Sequence, residues 1–349
     1  MIQRQSNIEL FRIITMLLIV CHHYVVNSGL FPLIQSNPDS PQSVFLSLFG
    51  MWGKTGINCF VLISGYFMCQ SKITLKKFLK LFLQIEFYNV LVYFVFLLFG
   101  ITSFSIKALA IAIMPIRNVN SGFISAYLLY YLFIPFLNKL VNSLTQKEHG
   151  ILIGLCLLLF SIGARLNFGF YIASNYLIWF SILHFIASYL RFYGLCKDDN
   201  PRFWGTITIC LVFLSCLSVW ISLHNGLNPY RFVQDSNAPL ALLTATSSFM
   251  FFKSITLPNS QLINQIAAGT FGVLLIHANS DAMRAWLWGD TLKNVSHFDS
   301  PYLHAIISVI LVFCICDLID YLRRSRLERP TMSFIEQKVL SKLSSWKSK

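Results

Sequence analysis

Residues 8–28 read IELFRIITMLLIVCHHYVVNS, a long apolar run that contains only a few ionisable side chains. About 20 apolar residues in a helix span the ~30 Å hydrocarbon core of a bilayer. Similar runs recur along the whole 349-residue chain, separated by short polar segments. These runs lack the strict alternation of polar and apolar residues that is typical of a membrane β-barrel. The stretch therefore predicts a membrane-spanning helix, and its recurrence predicts an all-α, polytopic bundle.

The composition supports this interpretation, because 56% of the residues are hydrophobic and only 12% are charged, against about 25% charged in soluble domains. We expect a membrane domain over residues 1–325, a basic cytoplasmic tail over residues 326–349, and an amphipathic surface segment over residues 103–120. The apolar runs predict about ten membrane-spanning helices, at residues 8–28, 44–68, 76–100, 122–143, 150–167, 174–192, 204–223, 238–254, 262–286 and 303–322.

The net charge of +13 is unevenly distributed along the chain. With the N-terminus in the cytoplasm, 19 of the 27 lysines and arginines fall in cytoplasmic segments and six in external ones, while Arg12 and Lys54 lie within spans. The positive-inside rule explains this asymmetry and predicts that both termini are cytoplasmic, which requires an even number of helices. The basicity therefore indicates the lipid bilayer as a partner, rather than nucleic acid.

The first span carries a polar stripe. At 100° per residue, His23 lies within about 20° of the direction of Arg12 and roughly 16 Å along the axis, whereas His22 points about 80° away. Ionisable groups in a span are costly and mark functional sites, and imidazole suits acid–base chemistry. Two simpler interpretations stay open: Glu9 and Arg12 form a helix-end ion pair, and His23 is a buried, hydrogen-bonded packing residue.

Other polar residues have similar pairs of interpretations. The cluster of Lys76, Lys77 and Lys80 either sets the topology or holds the phosphates of a cytosolic cofactor, and Glu86 could pair with a lysine or with Arg12. His184 is interpreted as a packing residue, and Ser64 is not expected to be a nucleophile. The nine cysteines fall mostly in apolar runs, where cysteine behaves as a small apolar residue. No metal site is predicted.

Five segments, in this order along the chain, resemble the acyltransferase-3 family of membrane enzymes that O-acetylate bacterial surface polysaccharides. They are Glu9-Leu-Phe-Arg12 followed by ten residues and then His23, Asn58 to Phe67 with its Ser64-Gly-Tyr-Phe sequence, Lys77-Phe-Leu-Lys80, the tyrosine-rich Ser125 to Asn138 with Pro135, and Gly269-Thr-Phe-Gly-Val-Leu-Leu-Ile-His277. The chain departs from the family pattern where lysines replace arginines in the basic cluster, Phe123 replaces Trp, and Leu274 replaces Tyr.

The resemblance implies transfer of an acetyl group from acetyl-CoA to a glycan hydroxyl at the bacterial cytoplasmic (inner) membrane, without a metal. The roles that it implies are catalysis by His23 as base or acyl carrier, assisted by Arg12. Acetyl-CoA would be bound by Arg12, Lys76, Lys77 and Lys80, and the glycan acceptor by His277, Trp286, Tyr127 and Glu86. The main alternative is a transporter or flippase of a lipid-linked sugar, which would be favoured by discontinuous helices and inverted repeats. A catalytically inactive sensor would be expected to lack Arg12 or His23.

Overall fold

The computed structural model describes residues 5–114, 116, 122–165, 175–195 and 200–340. Every regular element in these ranges is helical, which confirms the all-α prediction. The helices are α1 (Ser6–Val26), α2 (Leu30–Ser36), α3 (Pro41–Gly50), α4 (Gly53–Met68), α5 (Leu75–Leu98), α6 (Ile106–Ile113), α7 (Phe123–Ser143), α8 (Gln146–Leu157), α9 (Tyr176–Phe192), α10 (Pro201–His224), α11 (Pro239–Ser254), α12 (Gln261–Ala267), α13 (Thr270–His277), α14 (Asp281–Arg284), α15 (Pro301–Arg323) and α16 (Arg329–Ile335).

Several of these helices continue in π-helical turns, and one short 3₁₀ helix connects α14 to α15. The π-helical turns are Leu158–Gly163 after α8, Ala285–Thr291 after α14, Arg324–Glu328 after α15 and Glu336–Leu340 after α16, and the 3₁₀ helix is Asn294–His297. As a result, Pro301–Lys338 is one continuous helical segment of 38 residues. This segment passes through the predicted boundary between residues 325 and 326 without a break.

Seven helical segments in the described part of the chain are long and apolar enough to cross a bilayer, and the number rises to eight if a bent pair counts as one span. The chain is therefore a multi-pass membrane protein. The predicted number of about ten is not reached on length and composition alone, since α9 and α11 have only 17 and 16 residues. Both helices are nevertheless present where the sixth and eighth spans were predicted.

The two short helices connect the same two ends of the bundle as α1. We call the end with Ser6 and the Lys76–Lys80 cluster the lysine end, and the end with His22 and Gly50 the histidine end. The chain enters α11 from the histidine end, where the Asn58 side chain donates to the carbonyl oxygen of Ser236 at 2.7 Å. It leaves α11 at the lysine end, where Asn7 of α1 donates to the carbonyl oxygen of Ile255 at 2.8 Å.

Helix α9 has the same orientation between the ends. At its start the Tyr176 hydroxyl accepts a hydrogen bond from Lys54 Nζ at 2.5 Å, next to the beginning of α4. At its other end Arg191 Nε donates to Gln70 Oε1 at 3.1 Å, in the segment that leads to the lysine cluster. Each of these helices therefore passes from one end of the bundle to the other, although each is shorter than a typical span.

Residues 262–286 were predicted as a single span, and the structure shows that they do not form one straight helix. The segment Gln261–His277 is followed by Asp281–Thr291, and the two are bent by 97°. Ser280 begins the second part, because its hydroxyl oxygen accepts a hydrogen bond from the Met283 amide at 3.1 Å, as a helix N-cap does. The bend makes His277 the last residue of α13 and leaves its side chain inside the bundle.

A buried ion cluster holds α13 against its neighbours. Asp320 of α15 is completely buried. Its carboxylate accepts hydrogen bonds from Arg323 Nε at 2.9 Å, Arg324 Nε at 2.8 Å and the Tyr88 hydroxyl at 2.8 Å. These donors compensate the desolvation of the buried charge. Gly272 of α13 lies directly against Asp320, where a Cβ atom would collide with the carboxylate. Helix α13 is thus fixed by contacts with α15, which is joined in turn to α5.

Some sequence predictions fall partly outside the described residues. Helix α6 lies within the predicted surface segment 103–120, of which residue 115 and residues 117–120 are outside the description. The same is true of residues 341–349 in the predicted tail and of Cys196. The cysteines in the described ranges are free thiols.

Candidate active site

His22 and His23 are adjacent on α1 but have different surroundings. His22 Nδ1 donates a hydrogen bond to the carbonyl oxygen of Gly50 at 2.6 Å. A Cβ atom at Gly53 would collide with the His22 ring, so the glycine lets α4 approach α1 closely, as small residues do in membrane helices. His22 is therefore fixed by packing and by a backbone hydrogen bond, although its ring also borders a cavity.

A directed chain of hydrogen bonds begins at His23 and continues through His277 to the backbone. His277 Nδ1 lies 2.6 Å from the carbonyl oxygen of Val273, and because a carbonyl only accepts, this nitrogen is the donor. In a neutral imidazole the other nitrogen then carries no hydrogen. His277 Nε2 therefore accepts from His23 Nδ1, which is 2.9 Å away. It follows that Nε2 of neutral His23 carries a lone pair and is able to accept a proton.

The first of two cavities on α1 has a volume of about 640 Å³ and is lined by His23; we call it the His23 cavity. Hydroxyl, amide and cationic side chains from five other parts of the chain share its wall, among them Lys54, Asn89, Tyr176 and Arg284. Its volume is within the range of small-molecule sites. The polar lining suits a ligand rich in hydroxyl groups.

The second cavity has a volume of about 330 Å³ and is lined by Arg12 together with Lys77 and Lys80; we call it the Arg12 cavity. Arg12 lies 3.6 Å from Glu9, one turn earlier on α1, in the ion pair predicted from the i, i+3 spacing. Three cations from α1 and α5 therefore meet at one cavity. Such a cluster suits an anion with several phosphate groups.

The lysines have acidic partners that the sequence did not reveal. Lys80 Nζ lies 2.6 Å from Glu328, and Lys76 Nζ lies 2.5 Å from Glu336. Both glutamates belong to the long C-terminal helical segment. Lys77 Nζ instead donates to the carbonyl oxygen of Lys72 at 2.9 Å. Lys76 does not line the Arg12 cavity, but it shares a neighbouring groove with Lys77 and Lys80.

A layer of four aromatic rings lies between the two cavities. Phe123 lines the His23 cavity, whereas Phe60, Tyr127 and Phe271 line the Arg12 cavity. The rings contact one another, with centroid distances of 5.7 Å for Phe123 and Tyr127, 5.6 Å for Tyr127 and Phe271, and 6.0 Å for Phe60 and Phe271. Tyr127 is held in this layer by its hydroxyl, which donates to Ser64 Oγ at 3.0 Å.

Three residues that were predicted to bind the acceptor lie outside the lining of both cavities. His277 is completely buried behind His23, and Trp288 packs edge-on against it at 6.5 Å. Trp286 packs against Phe96 at 5.5 Å. Glu86 lines a separate groove that it shares with Lys80. The predicted roles of Trp286 and Glu86 therefore stay predictions, and neither residue lines either of the two cavities. The position of His277 suits a role in orienting the His23 ring.

Two of the simpler interpretations agree with the structure. His184 is completely buried, with Nδ1 at 2.8 Å from the Tyr130 hydroxyl and Nε2 at 2.9 Å from Asn138 Oδ1. Both of its ring nitrogens are thus engaged, as expected of a packing residue. Ser64 Oγ donates to the carbonyl oxygen of Phe60 at 2.9 Å and has no adjacent base among these contacts. In the described ranges, no group of three or more metal-ligating side chains is present.

Sequence reasoning missed several residues of the site. Lys54 was visible as a cation within a span, but nothing in the sequence associated it with Tyr176, which is 122 positions away. The acidic partners Glu328 and Glu336 lie in a segment whose basic residues dominated the sequence interpretation. The contact between His23 and His277 spans 254 positions. Its sequence signal was a histidine at the end of an apolar run.

Comparison with known proteins gives one match. A family model described as an acyltransferase domain matches residues 5–321, which is nearly the whole chain. No curated protein and no solved structure matches the chain. The matched range includes α1, the lysine cluster and both cavities.

Proposed function

Since this chain belongs to the acyltransferase-3 family of membrane acyltransferases, we propose that it transfers an acetyl group from acetyl-CoA to a hydroxyl of a cell-surface polysaccharide or lipid-linked glycan. We further propose that it works in the bacterial cytoplasmic membrane. The observation that carries the proposal is that one helix, α1, reaches two cavities of different chemistry. The Arg12 cavity is cationic, and the His23 cavity is rich in hydroxyl and amide groups.

The Arg12 cavity is the proposed site of the coenzyme. Arg12, Lys77 and Lys80 bind the phosphates of acetyl-CoA through charge-assisted hydrogen bonds, and Lys76 adds positive charge in the neighbouring groove. His23 follows Arg12 by eleven helical steps, roughly 16 Å along the axis. The acetyl end of the coenzyme therefore reaches His23 by passing the layer of Phe60, Phe123, Tyr127 and Phe271.

The His23 cavity is the proposed site of transfer. In one route His23 Nε2 takes the proton of the acceptor hydroxyl while the hydroxyl oxygen attacks the thioester carbonyl carbon. The tetrahedral intermediate then expels the CoA thiolate, and the His23 imidazolium returns the proton to that sulfur. The hydrogen bond from His23 Nδ1 to His277 keeps the imidazole in the required tautomer throughout.

A second route uses the same nitrogen as a nucleophile. His23 Nε2 attacks the thioester carbonyl, the CoA thiolate leaves, and an acetyl-imidazole forms. The acceptor hydroxyl then attacks this acetyl group, and its proton is released as the imidazole is regenerated. The routes are distinguished by rapid mixing with acetyl-CoA alone, because only the second route releases one equivalent of CoA in a burst before any acceptor is added.

A flippase without chemistry is the alternative from another class. The 97° bend between Gln261–His277 and Asp281–Thr291 is of the kind found in transporters. The family match favours the acyltransferase, and the bend brings His277 to His23. The bend therefore has a use in the proposed chemistry.

The proposed function is tested with purified protein in lipid nanodiscs. Incubation with acetyl-CoA should release free CoA thiol, which is measured with a thiol-reactive dye, and acetyl groups should appear on an added glycan. His23→Ala should lose this release, and His184→Ala serves as a control for the loss of a buried histidine remote from both cavities. A wild-type protein that binds acetyl-CoA and consumes none, with or without glycan, would refute the proposal.

A further inference from the structure

Lys54 is a cation in the membrane segment Pro41–Met68, and it lines the His23 cavity. A lysine within a span is costly unless it has a partner or a functional role. Its ammonium group lies 2.5 Å from the Tyr176 hydroxyl oxygen and 5.2 Å from the centre of that ring. The side chain is therefore directed to α9, at the wall of the cavity.

The structure offers Lys54 no carboxylate partner among the described residues, since no acidic oxygen there lies within 4.0 Å of its ammonium. Two carboxylates lie near Lys54, and each forms an ion pair with an arginine. Asp235 borders a small pocket together with Lys54, but it pairs with Arg165 at 3.2 Å. Asp281 lines the His23 cavity and is in direct contact with Arg284. The formal charge of Lys54 is thus left unbalanced at the cavity.

The hydrogen bond to Tyr176 creates a second donor beside the ammonium. The Tyr176 oxygen accepts from Lys54, which has three donor hydrogens and no acceptor. The hydroxyl hydrogen of Tyr176 is consequently available for another acceptor, and two further hydrogens of the ammonium are available as well. Tyr176 is 93% buried by neighbouring residues, with 7% of its surface exposed. Its hydroxyl is therefore held in place rather than freely mobile.

From this pair we infer that Lys54 and Tyr176 bind an anionic group of the acceptor, so that the acceptor is an acidic glycan carrying a carboxylate or a phosphate. The inference rests on the proposed function and names the substrate class of the same site. The anion accepts hydrogen bonds from the ammonium and from the tyrosine hydroxyl. Charge-assisted bonds of this kind are the strongest polar contacts in proteins. The hydroxyl that is acetylated lies elsewhere on the same sugar or on its neighbour, towards His23.

The same cavity gives the anion a second effect. In the base route His23 becomes a cation in the transition state, and Lys54 and Arg284 line the cavity in which this charge develops. Like charges disfavour one another, particularly where water is scarce. A bound anion at Lys54 offsets this repulsion at the moment of proton transfer. An acidic acceptor is accordingly expected to gain in turnover as well as in binding.

The experiment compares three sugars that share a glucose ring: methyl glucoside, methyl glucuronide and glucose 6-phosphate. Full-length protein in nanodiscs of phosphatidylcholine, which carries no net charge, is titrated with each sugar, and binding is followed by thermal stability. We expect methyl glucuronide or glucose 6-phosphate to bind wild type at least about tenfold more tightly than methyl glucoside. The anion that is preferred identifies carboxylate or phosphate as the natural group. Equal binding of all three sugars would overturn the inference.

Variants assign the preference to the proposed residues. Lys54→Met should reduce the ratio of acidic to neutral binding to near one, Lys54→Arg should retain a preference, and Tyr176→Phe should reduce it in part. Lys139→Met, an exposed lysine on α7 away from both cavities, should keep the wild-type ratio. If Lys54→Met keeps that ratio, Lys54 does not bind the acceptor. Release of CoA by wild-type protein from acetyl-CoA in the presence of the neutral methyl glucoside reports separately on the proposed function, because both routes release CoA when a hydroxyl acceptor is present.

Discussion

His22 and His23 are consecutive residues of α1, and their different contacts predict different results on mutation. His23→Ala removes the nitrogen that accepts the proton, so we expect acetyl transfer to fall about 10²- to 10⁴-fold, the usual contribution of a general base. His22→Ala removes a ring held by Gly50 and packed on Gly53, so we expect a loss of stability with a much milder loss of transfer. Steady-state rates of acetyl transfer, normalised to the amount of folded protein, measure this difference between the two variants.

The contrary result for this pair would be a null His22→Ala variant beside an active His23→Ala variant. The helical phase of α1 would then have been interpreted wrongly. Arg12→Ala provides a further comparison, because it lies on the His23 side of the helix and lines the other cavity. It should abolish transfer while the protein still inserts into the membrane.

His277 is predicted to act through His23 as a positioning residue. His277→Ala leaves His23 Nδ1 without its acceptor at 2.9 Å, and loss of such a bond is worth roughly tenfold to a hundredfold in rate. The loss should appear in kcat, with the KM for acetyl-CoA unchanged. His277→Gln, whose side-chain oxygen can accept from the same nitrogen, should recover part of the rate. An unchanged kcat in His277→Ala would contradict this role.

The residue scale also shows what sequence can and cannot predict. The phase of an ideal helix predicts different surroundings for His23 and His22, because the geometry of α1 is local. The contact between His23 and His277 depends on a bend at residues 278–280 and on the contact of Gly272 with Asp320. Such contacts are set by the packing of distant elements. Nothing in the sequence around Gly272 indicates that this glycine packs against Asp320, 48 positions away.

At the scale of the elements, α5 and α1 together form the cationic wall of the Arg12 cavity. The Lys77→Gln, Lys80→Gln double variant should raise the apparent KM for acetyl-CoA and weaken the salt dependence of its binding, since two phosphate contacts are lost. Membrane topology should be unchanged, because many other basic residues remain at the lysine end. Normal affinity for acetyl-CoA with reduced expression would instead indicate that these lysines serve insertion.

The C-terminal segment modifies this wall. Glu328 pairs with Lys80, which lines the Arg12 cavity, whereas Glu336 pairs with Lys76, which does not. A phosphate must therefore compete with Glu328 for Lys80. Glu328→Gln should lower the KM for acetyl-CoA several-fold, and Glu336→Gln should leave it near the wild-type value. Exposed ion pairs contribute little to stability, so neither substitution should unfold the protein. A change of KM of similar size in both variants would show that general charge, rather than the contact with Lys80, controls acetyl-CoA binding.

The elements were predictable to different degrees. Apolar composition located the long helices, and the Thr145 capping box with Glu148 accounts for the start of α8. The broken segment was missed because both of its parts are apolar, and hydropathy carries no information on direction. The local signal was Asn279-Ser280, in which Ser280 caps the new helix. Acidic partners such as Glu328 were missed because pairing across 248 positions is a property of packing.

For the molecule as a whole, the start of α1 and the end of α15 lie on the same side of the bundle. Ser6, the first residue of α1, donates to Asn264 Oδ1 of α12 at 3.2 Å. Arg324, just after α15, donates to the carbonyl oxygen of the adjacent Gln265 at 3.2 Å. Both helix ends thus contact the same short helix. A chain that begins and ends on one side of a bilayer crosses it an even number of times.

We therefore expect an even number of membrane crossings between the start of α1 and the end of α15. Seven crossings are odd and do not fit, while the bent pair brings the number to eight. Helices α9 and α11 each connect the histidine end to the lysine end, so counting both gives ten. The number of about ten, which the apolar runs predict, stays a prediction, since seven or eight segments meet the criteria of length and composition. Eight would require that α9 and α11 stay within one half of the bilayer, although their ends contact opposite ends of the bundle.

Reporter fusions distinguish eight crossings from ten and fix the orientation. The positive-inside rule places the lysine end in the cytoplasm, so fusions after residues 71, 145, 195 and 256 and at the C-terminus should be cytoplasmic. Fusions after residues 38, 227 and 290 should be external. The decisive fusions are those after residues 195, 227 and 256. Ten crossings require residue 227 to lie on the opposite side of the membrane from both residue 195 and residue 256, because α10 and α11 must each cross. If residues 227 and 256 are on the same side, α11 does not cross, and the number of crossings is not ten.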